Sequence, residues 1–347
     1  MTLMEKEIFE QPEALKNCFS YNRETLNKLV SDIRNKGIVN VVIAARGTSD
    51  HAGIYGKYLI ESYVGVPVGL SAPSAVTLYG GNINYDNMLV IGISQSGKAA
   101  DVLAVMEQAK KNGALTCTVT NDETSPLAKC ADYHLFCNAG LESSVAATKT
   151  FGTQLYIMAY LALMWAGRDD MVKMLAEVPE KIRKVLDDNE KVKALATRAR
   201  FMTDCFILSR GITYPMALEA ALKVQETNYV RAKAYPVSDF HHGPFAMVDD
   251  GTPVFVYAGS GKETRKDTVE MIEKLKAVGA DVLVISADDD LLSLGDVSFK
   301  IPASGGNDFI DMFSFAVFGQ LFACNLAAVK GRNPDAPRGL KKITITK

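Results

Sequence analysis

A chain of 347 residues exceeds what one hydrophobic core usually supports, so two domains are the first expectation. Apolar residues make up 48% and charged residues 22%, which is ordinary for a soluble globular protein. The net charge of −2 comes without a basic footprint, so nucleic acid is not an expected partner; small anionic ligands stay open.

In chain order, Met1–Gln11 carries Glu5, Lys6, Glu7 and Glu10 and lacks the apolar core of a signal peptide. Asn40–Ala45 is an unbroken apolar run. A turn, Arg46-Gly47-Thr48-Ser49-Asp50, and a helix-like stretch to about Tyr63 follow. Met88–Ile93 is the next run; Ser94-Gln95-Ser96-Gly97 and a helix over Ala99–Lys111 follow it. Leu115–Thr120 is a third strand. Short apolar runs between helices predict a parallel sheet covered on both faces. The greasiest run, Phe151–Trp165, falls short of the roughly 20 residues of a membrane span and reads as a buried helix, so no membrane is expected. Helical spacing continues through Arg168–Arg200.

The order then repeats. Cys205–Ser209 and Arg210-Gly211-Ile212-Thr213 precede a helix over Tyr214–Tyr229. Pro253–Ala258 and Gly259-Ser260-Gly261 precede a helix over Glu263–Val278, and Asp281–Ser286 is the third strand. Gly47 and Gly211 lie 164 residues apart, as do Gly97 and Gly261, each after a strand. This register predicts two like α/β domains, 1–185 and 186–330. An apolar helix over Asp308–Lys330 and a tail over 331–347, with Pro334 and Pro337, complete the chain.

In open parallel sheets ligands bind beyond the carboxyl ends of strands. Gly47, Thr48 and Ser49, and Ser94, Gln95 and Ser96, stand there, where backbone N–H groups and helix N-termini can hold an anion. The alternative is plain turns and helix caps. No G-x-G-x-x-G and no Walker lysine pattern is present, which favours a monophosphate over a nucleotide. Ala258-Gly259-Ser260-Gly261 has fewer hydroxyls, so one phosphate site per chain is expected, in the first half. Glu219, Lys223 and Glu226 share one face of an apolar helix. They are either a solvated stripe or a buried group with a catalytic base, Glu226. His242 in His241-His242-Gly243-Pro244 is a held acid–base or a surface residue. The cysteines at 18, 117, 130, 137, 205 and 324 show no C-x-x-C spacing and read as reduced core residues of a cytoplasmic protein. Neither a metal nor a cofactor is expected.

Arg210-Gly211 through Leu222-Lys223, Tyr235 through Pro244, Ser94-Gln95-Ser96-Gly97, Val145-Ala146-Ala147-Thr148-Lys149 and Pro337 through Lys342 together resemble the sugar isomerase (SIS) family. Within it they resemble the isomerase part of the glucosamine-6-phosphate synthases, over about residues 40–347. The resemblance implies tandem SIS domains, each a flavodoxin-like three-layer α/β/α sandwich with a parallel sheet of five strands, and a homodimer with a shared active site. It implies that Ser49 and Ser94-Gln95-Ser96 hold a sugar 6-phosphate and that Glu226 moves a proton between C1 and C2. It further implies that His242 opens the ring from the neighbouring subunit, that Lys223 positions substrate, and that Lys342 forms an imine on a tail folded over the site. Val145, Ala147, Glu219 and Lys98 complete the expected substrate contacts.

The sequence also departs from that pattern. About 40 residues precede the first strand, so neither a glutaminase nor glutamine as the amine source is expected here. The family's S-Q-S-G-E-T reads Ser94-Gln95-Ser96-Gly97-Lys98-Ala99, which loses a hydroxyl and offers Lys98 in compensation. Ala147 replaces a serine, and Lys341 replaces a small residue beside Lys342. Chemistry running toward amine release is therefore expected: deamination of glucosamine 6-phosphate, or deglycation of a fructosamine or glucoselysine 6-phosphate. A plain aldose–ketose isomerase and a non-catalytic sugar-phosphate sensor are the other readings.

Overall fold

The computed structural model describes residues 1–342; the last residues of the tail, 343–347, lie outside the described residues. The chain divides into two compact units. One holds Glu10–Ser143, Ala147–Pro179 and the described residues from Leu340; the other holds Met1–Phe9, Ser144–Ala146 and Glu180–Gly339.

The first sheet contains β1 (Asn40–Ala44), β2 (Val68–Leu70), β3 (Met88–Ile93), β4 (Leu115–Thr120) and β5 (Tyr133–Phe136). The second contains β6 (Asp204–Ser209), β7 (Arg231–Pro236), β8 (Pro253–Tyr257), β9 (Asp281–Ser286) and β10 (Val297–Lys300). Their orders are β2-β1-β3-β4-β5 and β10-β9-β8-β6-β7, and every pairing is parallel. Counted within each half, both read 2-1-3-4-5, the flavodoxin-like order. Each unit is an α/β sandwich, with helices on both faces of its sheet.

The central strands are buried on both faces, which their unbroken apolar runs require. In the first unit, helices Gln11–Asn35 and Thr48–Leu59 pack on Lys149–Ala166, which is buried along almost its whole length. The opposite face packs Val102, Val105, Met106 and Ala109 of helix Ala100–Lys111 against Val90. In the second unit, Met271, Ile272 and Leu275 of helix Lys262–Ala277 pack on Val254, Val256 and Val282. Helix Asp308–Val329 has the length and apolar composition to cross a membrane, but 83% of its apolar window is buried. It packs on helices Tyr214–Asn228 and Asn189–Arg198, as a core helix does.

The duplication extends to polar contacts. Arg46 Nε donates to Asp101 at 2.7 Å, and Arg210 Nε to Asp267 at 2.8 Å. Lys110 pairs with Asp132 at 3.1 Å, and Lys276 with Asp296 at 2.7 Å. Asp132 accepts from Thr116 N–H, and Asp296 from Val282 N–H, both at 3.0 Å. All six cysteines lack disulfide partners; Cys18, Cys117, Cys137, Cys205 and Cys324 are buried, and Cys130 is half-buried.

Candidate functional site

In a 2-1-3-4-5 sheet the chain reverses direction between the first and third strands, leaving a crevice there. Both expected phosphate loops leave adjacent strands at that point. Gly47, at φ 54°, precedes helix Thr48–Leu59 and is exposed; Thr48 is half-buried and Ser49 buried. Ser94 closes β3: its N–H donates to Val119 O at 3.0 Å, and its carbonyl accepts from Gly97 N–H at 3.2 Å. Gly97 has φ +63°, and a Cβ there would overlap Ser125 Oγ, so the turn needs glycine. Ser96 Oγ accepts from Lys98 N–H at 3.3 Å. Ala99 stands at the N-cap of helix Ala100–Lys111 without a side-chain cap, where the family's threonine would offer a hydroxyl.

A cleft of about 480 Å³ opens beside this loop, lined among others by Gln95, Ser96, Lys98, Asn138, Glu142 and Lys342. It brings the loop and the tail lysine, expected separately from the sequence, to one place. The Lys98 ammonium is half exposed and 3.8 Å from Asp122. Lys342 Nζ donates to Glu142 Oε2 at 2.8 Å. Glu142 is buried; its Oε1 accepts from Thr148 N–H (2.9 Å) and Thr150 N–H (3.1 Å), and its Oε2 from Thr150 Oγ1 (2.8 Å). Burial pushes its carboxyl up, but the Lys342 ammonium and those N–H donors outweigh it and hold it below the usual range. Glu142 thereby caps helix Lys149–Ala166 and fixes a cation beside the phosphate-type loop. Sequence reasoning missed it; an acid three residues before Val145, in a stretch of small residues, was the available signal. Val145 and Ala147 are half-buried on that same stretch.

The other unit carries the acid–base candidates on helix Tyr214–Asn228. Lys223 is 0% exposed, with Nζ 2.6 Å from Glu226 Oε2 and 3.3 Å from Glu219 Oε1. Burial alone would lower the Lys223 pKa, but the two carboxylates outweigh it and raise it. Of the two readings of this face, the structure has the buried charge group. Glu219 is sealed in, whereas the Glu226 side chain keeps 22% of its surface. A base needs that opening to reach a proton, and Lys223 keeps its carboxylate oriented. His242 is exposed in the turn after helix Val237–Phe240, and its N–H donates to Asp239 O at 2.9 Å.

The SIS domain profile matches residues 33–164 and 204–330. The isomerizing glutamine–fructose-6-phosphate aminotransferase of Thermococcus kodakarensis is 38% identical over 99% of this chain, and that of Pyrococcus horikoshii 35% over 99%. The chain spans 58% and 57% of their lengths. The C-terminal domain of the glucosamine–fructose-6-phosphate aminotransferase of Francisella tularensis superposes with a TM-score of 0.86 at 28% identity, covering 97% of this chain and 98% of that one. With two matched domains and two sheets of one topology, the chain belongs to the SIS family as a tandem-domain member homologous to the isomerase portion of these aminotransferases.

Proposed function

We propose that the chain is an enzyme that releases an amine from an amino-sugar 6-phosphate, with glucosamine 6-phosphate and water giving fructose 6-phosphate and ammonia. The observation that carries the reading is the buried Glu219–Lys223–Glu226 group, which leaves one carboxylate open and charge-paired. The loops Gly47–Ser49 and Ser94–Ser96 hold the 6-phosphate, with Lys98 taking the place of the missing hydroxyl. His242, from a second copy of the chain in a homodimer, opens the ring. Glu226 takes the C2 proton and returns it to C1, leaving a ketose imine at C2. Lys342, on the tail that closes over the site, gives up its proton and attacks that carbon. Ammonia leaves, and water then frees fructose 6-phosphate from the lysine. The proton that Lys342 gives up goes to the departing nitrogen, while Glu142, bonded to Lys342, holds the lysine at the site. We place the reaction in the cytoplasm.

A second reading is favoured by the loop itself. Lys98 and Ala99 change its charge and hydroxyl content, and a half-exposed ammonium suits a larger, carboxylate-bearing amine. The same base would then split a fructosamine or glucoselysine 6-phosphate into sugar phosphate and amino acid.

Parallel assays separate the two. Ammonia and fructose 6-phosphate are measured from glucosamine 6-phosphate, and free lysine from fructoselysine and glucoselysine 6-phosphates. Stoichiometric ammonia and fructose 6-phosphate is the expected result. Free lysine without ammonia would replace it by the deglycase, and neither product, with phosphosugar still bound, would overturn both.

A further inference from the structure

The second unit has its own crevice at the same topological point, between β6 and β8. The loop after β8, Ala258-Gly259-Ser260-Gly261, stands where Ser94-Gln95-Ser96-Gly97 stands in the first unit. The equivalence is close: Ser96-Gly97-Lys98 recurs as Ser260-Gly261-Lys262 at the same spacing as the loop glycines. Ala258 N–H donates to Ile285 O at 2.9 Å, as Ser94 N–H does to Val119 O at 3.0 Å. Both loops open a long helix, Ala100–Lys111 and Lys262–Ala277.

The crevices are filled differently. The helix that follows the fifth strand begins with Lys149 in the first unit and with Asp308 in the second. Lys149 turns to Glu10, at 2.7 Å. Asp308 instead places its carboxylate on the loop: Oδ1 accepts from Gly261 N–H at 2.7 Å, and Ser260 N–H also donates to the carboxylate. Ser260 Oγ donates to Asp311 at 2.7 Å. A Cβ on Gly259 or Gly261 would stand 2.6 or 2.7 Å from Asp308 Oδ2, so both glycines make room for this carboxylate. Gly261 correspondingly has φ −68°, against +63° at Gly97. Burial, and then the neighbouring Asp311, push Asp308 up to about 6, which leaves it anionic at neutral pH.

We propose that Asp308 is an internal substitute for a phosphate group, occupying the second unit's loop and helix N-terminus and limiting each chain to one phosphosugar site. The proposal rests on the reading of Ser94–Gly97 as a phosphate loop. It accounts for two glycines in a loop whose one hydroxyl, Ser260, is turned to Asp311: they serve a resident anion. Asp308 is thus a specificity-determining residue, setting which of two duplicated crevices is open to ligand.

The test is isothermal titration of the full chain with inorganic phosphate. The variant is Asp308→Ala with Asp311→Asn, which removes the plug and the neighbouring negative charge; Asp311→Asn alone, which keeps the plug, is the control. Wild type and the control are expected to bind one phosphate per chain and the double variant two. Adding Ser94→Ala and Ser96→Ala to the double variant should leave one. A folded double variant that still binds one would overturn the proposal. Wild type binding none while the double variant binds one would refute the phosphate loop of the first unit and leave the plug standing. If the double variant does not fold in phosphate-free buffer, phosphate but not chloride of equal ionic strength is expected to restore its circular dichroism. Failure of that rescue would also overturn the proposal.

Discussion

Lys223 carries its charge in a fully buried position, which is sustained only because two carboxylates meet it. Their sequence spacing made that arrangement legible; their burial was legible only through the apolar residues around them on the helix. Glu142 was not legible. It lies in a loop without periodicity, and its partners Thr148, Thr150 and Lys342 come from a helix start and a distant tail, which spacing along the chain cannot join. Its folded pKa lies below the ordinary value of 4.5, so its stabilising contribution is present above that pH and is lost as pH falls through the folded value. Thermal midpoints of wild type and Glu142→Gln should therefore differ most near pH 7 and converge below about pH 4. A gap that stays constant would contradict the role given to its charge.

At the scale of elements, the sequence reading found β1, β3 and β4 in the first half and β6, β8 and β9 in the second. It left β2, β5, β7 and β10 unassigned, and these are the edge strands of the two sheets. The division is physical. A central parallel strand is buried on both faces and reads as an apolar run, whereas an edge such as Arg231–Pro236 or Val297–Lys300 keeps exposed polar positions. Helix Gln11–Asn35 also went unassigned, because polar residues interrupt its apolar stripe. The strand-end loops were placed correctly because glycines and hydroxyls follow apolar runs directly. Gly97→Ala tests how tightly one of them is built. The left-handed backbone and the overlap with Ser125 should cost about 1–3 kcal/mol in urea unfolding. A cost below about 0.5 kcal/mol would mean that the loop has slack and does not hold a fixed anion cradle.

For the whole molecule, duplication followed by divergence is the organising fact. The Arg–Asp and Lys–Asp pairs persist in both halves, where they tie one helix to the end of β1 or β6 and to the start of the edge strand β5 or β10, while the polar chemistry has separated. One half keeps the hydroxyl-rich loops and the Glu142–Lys342 pair; the other keeps Glu219, Lys223, Glu226 and His242. The duplication could be seen in sequence from the register of its glycines, but the filling of the second crevice by Asp308 could not, since that contact joins a loop to a helix start 47 residues on. The central claim is that the open carboxylate of Glu226 moves a proton on a bound sugar 6-phosphate. It is tested most directly by deuterium exchange at C2 of glucosamine 6-phosphate and at C1 of fructose 6-phosphate in D2O, followed by proton NMR. Wild type should wash deuterium into the substrate, and Glu226→Gln should slow exchange by at least about 100-fold while still binding phosphosugar. Exchange at near-wild-type rate in Glu226→Gln, or neither exchange nor turnover in wild type with sugar phosphate bound, would contradict it.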